Sequence, residues 1–201
     1  MIESKIICID LGSVKIIKTN NSMSYQELLA PPQEYSSGNV ISRLVDSLGF
    51  RYYWATEGLI EKDLLYKPSD EAMSTYVTIE HIYWLSIIIA NAPRKATSVR
   101  LTPDDLSKLT FNELKEKTLD NFKNTSDLCV GKAEKDFQDF KVIIQTHDGS
   151  KKEFPFWNLI HGPISDALYH VGQIVSFRRT TGNPINPNVK WFFGKVEGLV
   201  V

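Results

Sequence analysis

The chain has 201 residues, 42% of them hydrophobic and 23% charged, with 23 basic side chains against 24 acidic ones for a net charge of −1. That length supports one well-packed core rather than two, and the balanced charge excludes the concentrated basic surface that a phosphate backbone requires, so nucleic acid is not an expected partner. Two cysteines, Cys8 and Cys129, are too few for a disulfide framework or a cysteine metal knuckle.

The start of the chain lacks the basic region, apolar stretch and small-residue cleavage site of an export signal. "YWLSIIIANA" is apolar but far shorter than a bilayer span. The expectation is a cytoplasmic protein with reduced thiols and no membrane association. The basic spots "RKATSVR" and "SFRRTTGNP" read as solvated surface.

Residues 1–35 read as an N-terminal extension, irregular or with two short strands around Gly12-Ser13 in "IICIDLGSVKII". "CIDLGS" also matches the first phosphate loop of the actin and sugar-kinase fold. That fold needs two large lobes, which this chain is too short to supply, and short glycine motifs recur by chance.

From Ser36 the apolar residues Ile41, Leu44, Leu48, Tyr52, Ala55 and Leu59 step by three and four, predicting a long amphipathic helix. "YKPSDE" stops it, because proline disfavours the helical conformation of the residue before it. A second helix is predicted from Ser74 to Ala92, ended by Pro93, with His81 on its mainly apolar face among Val77, Thr78, Trp84, Leu85 and Ile88. Trp54 and Trp84 read as core residues.

"LTPDDL" is a cap with proline at the first helical position, and Thr110 with Glu113 forms a capping box. Phe111, Leu114, Thr118, Phe122, Cys129, Ala133 and Phe137 trace a third helix from there. "KVIIQTHDGSKKEFPF" predicts a β-hairpin turning at Asp148-Gly149, with His147 facing solvent. A fourth helix is predicted from Asn158 to Arg179. The expected fold is all-α, a four-helix bundle over residues 36–180 with a small hairpin before the last helix, and residues 181–201 form a tail packing on it.

Asp166 and His170 lie four residues apart, which stacks them on one helix face beside apolar positions where an unpaired charge is costly. His81, inward-facing on a different helix, is the natural third group. Two imidazoles and a carboxylate make a three-ligand metal site with open positions, the catalytic rather than the closed structural pattern. Taken singly, His81 also fits a hydrogen-bonded core histidine, and Asp166 with His170 fits a solvated ion pair. Gln173, one turn beyond His170, either orients a ligand or makes a helix-packing hydrogen bond. Glu57 is a candidate proton acceptor. Arg178 and Arg179 are candidates for receiving an anionic group, or favourable charges at the helix C-terminus. His161 is half a turn away from His170 on a straight helix, and reads as a supporting or capping residue.

"HIYWL" in the second helix and "DALYHVGQIVSFRR" in the fourth resemble the DinB-like superfamily of metal-binding bundles, as does "GFRYYWATEGLIEKDLLYKP" in the first. The resemblance covers residues 36–180 and implies an up-down-down-up four-helix bundle. It also implies a divalent metal held by His81 and by the pair on the last helix, His170 being the second of that pair. The pattern's middle histidine is Asp166 here. Zinc accepts that exchange, and it leaves nickel, iron and manganese open. The superfamily includes bacillithiol-type transferases and a mycothiol-dependent isomerase. The implied activity is therefore a metal-dependent thiol S-transferase acting on a small electrophile, with a low-molecular-weight thiol as co-substrate. A metal-dependent hydrolase with Glu57 or Gln173 guiding the proton or water, and a non-catalytic binding module whose metal is structural or lost, are the alternatives. Homodimers are common among the relatives.

Overall fold

The computed structural model describes residues 25–198; the strands expected around Gly12-Ser13, and Cys8, lie outside the described residues. The helices are α1 (Ser37–Thr56), α2 (Glu61–Leu65), α3 (Thr75–Asn91), α4 (Pro103–Leu106), α5 (Phe111–Cys129), α6 (Glu134–Asp139), α7 (Trp157–Leu159) and α8 (Ser165–Thr180). The strands are β1 (Thr97–Ser98), β2 (Lys141–Gln145), β3 (Lys151–Pro155), β4 (Val189–Lys190) and β5 (Lys195–Val196).

The long helices α1, α3, α5 and α8 close into a ring in which α1 and α3 each pack on both α5 and α8. Their apolar stripes meet in one core containing Val45, Leu48, Tyr52, Ile79, Ile82, Leu114, Phe122 and Ile174. Each stripe is cut by local chemistry. Ser36 caps α1 through the Asn39 N–H at 3.2 Å, Ser74 caps α3 through the Val77 N–H at 3.2 Å, and Thr110 with Glu113 forms the expected capping box of α5.

Two predicted helices run shorter than their apolar spacing. The first ends at Thr56 rather than Leu59, because Gly58 takes a left-handed φ of 69° and turns the chain into α2. The third ends at Cys129, where Gly131 adopts φ 73°, and Phe137 belongs to the separate α6. At that junction Gly38 lies so close to α5 that an added Cβ would sit 2.2 Å from the Cys129 carbonyl oxygen.

The hairpin β2–β3 pairs antiparallel from Lys141↔Pro155 to Gln145↔Lys151, and β1 adds a short parallel edge that periodicity did not predict. In the tail, β4 and β5 pair antiparallel, and Trp191 meets Phe50 of α1 edge-on with centroids 5.8 Å apart. Among the described residues no helix is long and apolar enough to cross a membrane.

The fourth predicted helix is not straight. Gly162 has non-helical angles (φ −93°, ψ −106°) and Pro163 follows, so residues 160–164 form a wide π-type turn between α7 and α8. Ser165 Oγ donates to the Ile160 carbonyl at 2.7 Å, occupying an acceptor at the break. This restart puts Asp166 in the first turn of α8, where the helix dipole favours a carboxylate.

Candidate metal centre

His81 projects from the middle of α3 towards α8, and Asp166 and His170 project back from successive turns of α8. His81 Nε2 lies 3.2 Å from Asp166 Oδ2, and His170 Nε2 lies 3.3 Å from Asp166 Oδ1, so each carboxylate oxygen faces a different imidazole. The two rings meet edge-on with centroids 4.7 Å apart. One ligand atom from each of the three residues lies within 4.8 Å of the others. The side chains are graded in exposure, at 9% for His170, 27% for His81 and 44% for Asp166. The cluster is anchored in the core on one side and open to solvent on the other.

Gln173 Oε1 lies 2.7 Å from His170 Nδ1. With the carboxamide oxygen facing the ring, Nδ1 carries the hydrogen and donates it. A neutral imidazole has one N–H. His170 therefore turns the bare lone pair of Nε2 towards a carboxylate oxygen, which also can only accept. A cation between those atoms, either a second proton or a metal ion, removes the conflict. The donor set and spacing fit a divalent metal: two nitrogens and a carboxylate, with one imidazole oriented by a hydrogen bond at its far nitrogen, as metal-ligating histidines usually are.

The other residues singled out from sequence lie elsewhere. Arg178 is buried and acts as a clasp. Its Nη1 donates to the carbonyls of Trp54 (2.9 Å), Ala55 (3.1 Å) and Glu57 (2.9 Å), and its Nε donates to the Asn183 carbonyl at 2.7 Å. The expected anion receiver thus spends these donors on the free carbonyls at the end of α1. It sits eight residues beyond His170, about 12 Å along the helix. Glu57 is at that same distant end, in an ion pair with Lys115 rather than facing the cluster. Arg179 is exposed, and nine residues from His170 it points half a turn away. Of the supporting residues proposed from sequence, Gln173 alone touches a ligand of the cluster.

His161 is exposed on the π-type turn and His147 is exposed at the hairpin turn. Cys129 is buried, and desolvation pushes its thiol pKa up to about 11, so it is no nucleophile at neutral pH. Trp54 belongs to the core, its indole N–H donating to the Gln26 carbonyl at 3.0 Å. Trp84 is half-buried and lines a cleft of about 100 Å³ with Met73, Val77, Glu80, Arg100 and Leu106; His81 belongs to this wall as well as to the triad. Sequence patterning missed the cleft because its two walls are α3 and the segment around α4, and periodicity within one helix says nothing about what lies across from it.

No family model matches the sequence, and no curated protein matches it. Among solved structures, the chain is similar to the crystal structure of a DinB-like protein, YjoA, from Bacillus subtilis. The superposition has a TM-score of 0.51 at 15% sequence identity and covers 71% of this chain and 92% of that one. The fold is DinB-like. In this DinB-like bundle the second and fourth long helices bring His81, Asp166 and His170 together. The hairpin β2–β3 precedes the last helix, as expected from the sequence.

Proposed function

We propose that this DinB-like protein is a metal-dependent enzyme of the thiol S-transferase type, with His81, Asp166 and His170 as the ligands of one divalent ion. The observation that carries the reading is the convergence of two imidazole nitrogens on the two oxygens of one carboxylate, from separate helices, at 3.2 and 3.3 Å. Of the three, His170 is buried, and a buried polar group is costly unless partnered.

A divalent ion held there would act as a Lewis acid and lower the pKa of a coordinated thiol or water towards neutrality. The chain's own residues supply the rest. Gln173 holds the His170 ring by its Nδ1 hydrogen and directs Nε2 into the cluster. Asp166 keeps the site's charge one unit below that of three imidazoles and, being the most exposed of the three, marks the side from which small molecules arrive. With three protein ligands, coordination positions remain for substrate. The DinB-like fold and the superfamily's transferases favour a thiol over water as the group activated.

Elemental analysis of the purified protein tests the first half of the reading. Stoichiometric zinc, nickel, iron or manganese, removable by chelator without loss of helical content, is the expected result. No retained metal after incubation with each of these ions would overturn it. The second half is tested by consumption of a low-molecular-weight thiol in the presence of a small alkylating electrophile. Consumption should depend on metal and be abolished in His170→Ala; a rate equal to the uncatalysed one would remove the transferase assignment.

A further inference from the structure

The cleft beside the triad contains two charged side chains without partners. Glu80, half-buried, precedes His81 on α3, and Arg100, exposed, reaches the cleft from the loop after β1; apart from His81 and the Tyr83 hydroxyl the remaining wall is apolar, with Val77, Trp84, Ile87 and Leu106 prominent. Among the described residues neither the Glu80 carboxylate nor the Arg100 guanidinium is in a hydrogen bond or an ion pair, and the two are not paired with each other. An apolar cleft holding one free anion and one free cation is complementary to a molecule that carries the opposite pair on an apolar body.

We propose that the cleft is the substrate pocket of the centre and takes a small amphoteric molecule of the α-amino-acid type. Its ammonium group meets Glu80, its carboxylate meets Arg100, and its apolar side chain lies on Val77, Trp84 and Ile87. Arg100 suits the carboxylate because a guanidinium offers two parallel N–H donors. The volume of about 100 Å³ suits a small molecule. Because His81 is common to cleft and triad, an occupant is held against one wall of the metal centre. The proposal rests on the metal-enzyme reading only for what becomes of the occupant; binding itself needs no metal.

The test uses the full chain, once stripped of metal with chelator and once zinc-loaded, titrated with L-leucine while the Trp84 indole N–H resonance is followed. Isoamylamine and 4-methylpentanoate, which lack the carboxylate and the ammonium respectively, are titrated in parallel. Saturable leucine binding that shifts the Trp84 signal is expected in both forms, with each analogue binding more weakly. Glu80→Gln should weaken leucine and isoamylamine about tenfold and leave 4-methylpentanoate unchanged, and Arg100→Ala should weaken leucine and 4-methylpentanoate about tenfold and leave isoamylamine unchanged, about tenfold being the loss of one charge-assisted contact. No saturable leucine binding at millimolar concentration, or equal affinity for leucine in wild type and both variants, would overturn the pocket. Leucine binding by a chain that retains no zinc after zinc loading would leave the pocket standing and remove the metal-enzyme reading, so the two failures are distinguishable.

Discussion

The Gln173 carboxamide accepts the Nδ1 hydrogen of His170 at 2.7 Å, and so decides which nitrogen of that ring faces Asp166. The relationship is local, three residues along one helix, yet it sets the chemistry of a site whose third member comes from another helix. Gln173→Leu removes the acceptor and keeps the volume. Metal affinity is expected to fall about tenfold or more, the usual effect of losing such a supporting hydrogen bond, with thermal stability of the metal-free protein nearly unchanged. Competition with a chromophoric chelator measures it; unchanged affinity would mean that Gln173 only packs.

His170→Ala should lower bound metal by at least about an order of magnitude, because one of three protein ligands is lost, while far-ultraviolet circular dichroism stays close to wild type. Full occupancy in that variant would refute the ligand assignment.

Asp166 separates ligand charge from ligand shape. Asp166→Asn keeps the shape and removes the charge, and should lose metal affinity. Asp166→His supplies a third imidazole, which zinc accepts, and should retain metal. If both variants bind zinc as wild type does, Asp166 is not a ligand.

Arg178 predicts a stability effect without a metal effect. Arg178→Met leaves the carbonyls of Trp54, Ala55 and Glu57 without their buried donor and should cost about 3 kcal/mol, the range for stranding buried polar groups. Metal content per folded chain should not change. Urea denaturation with parallel metal analysis separates the two outcomes.

Asp63 provides a pH signature. Burial by itself would raise its pKa, but hydrogen bonds from the Ile60 N–H, Thr181 and Asn183, together with the Arg178 charge, outweigh that and hold it below the ordinary aspartate value. A depressed folded-state pKa contributes stability above the unfolded-state pKa and loses it as pH falls through the folded one. The stability advantage of wild type over Asp63→Asn should therefore be constant between about pH 7 and 5 and shrink below about pH 4, where the unfolded chain begins to take up the proton. Denaturation midpoints at several pH values check the sign; an advantage that grows towards acid would contradict it.

Much of the bundle was legible because helix formation is read from neighbours three and four residues apart. The stripes of α1, α3 and α5, the Thr110/Glu113 box and the Asp148-Gly149 turn all follow from local spacing. Asp166 and His170 were legible for the same reason, and His81 was legible as their companion from its inward-facing place on a second helix, with the DinB-like resemblance at "HIYWL" pointing the same way. The boundaries were less legible. Gly58 and Gly131 end helices whose apolar stripe continues in sequence, since a left-handed residue breaks the hydrogen-bond ladder whatever its neighbours' hydropathy.

What the sequence determined by itself was the set of amphipathic helices and which side chains each presents inward, because both depend on spacing along one helix. What only the tertiary structure decided was which inward groups meet. Glu57 and Arg178, both plausible site residues in one dimension, were committed to Lys115 and to the end of α1. Trp84 packs against the core as read but also lines a cleft, together with Arg100, which is exposed as its solvated-surface reading expected. Encounters between side chains far apart in sequence depend on helix ends, kinks and packing angles, such as the π-type turn at Gly162-Pro163 from which α8 starts.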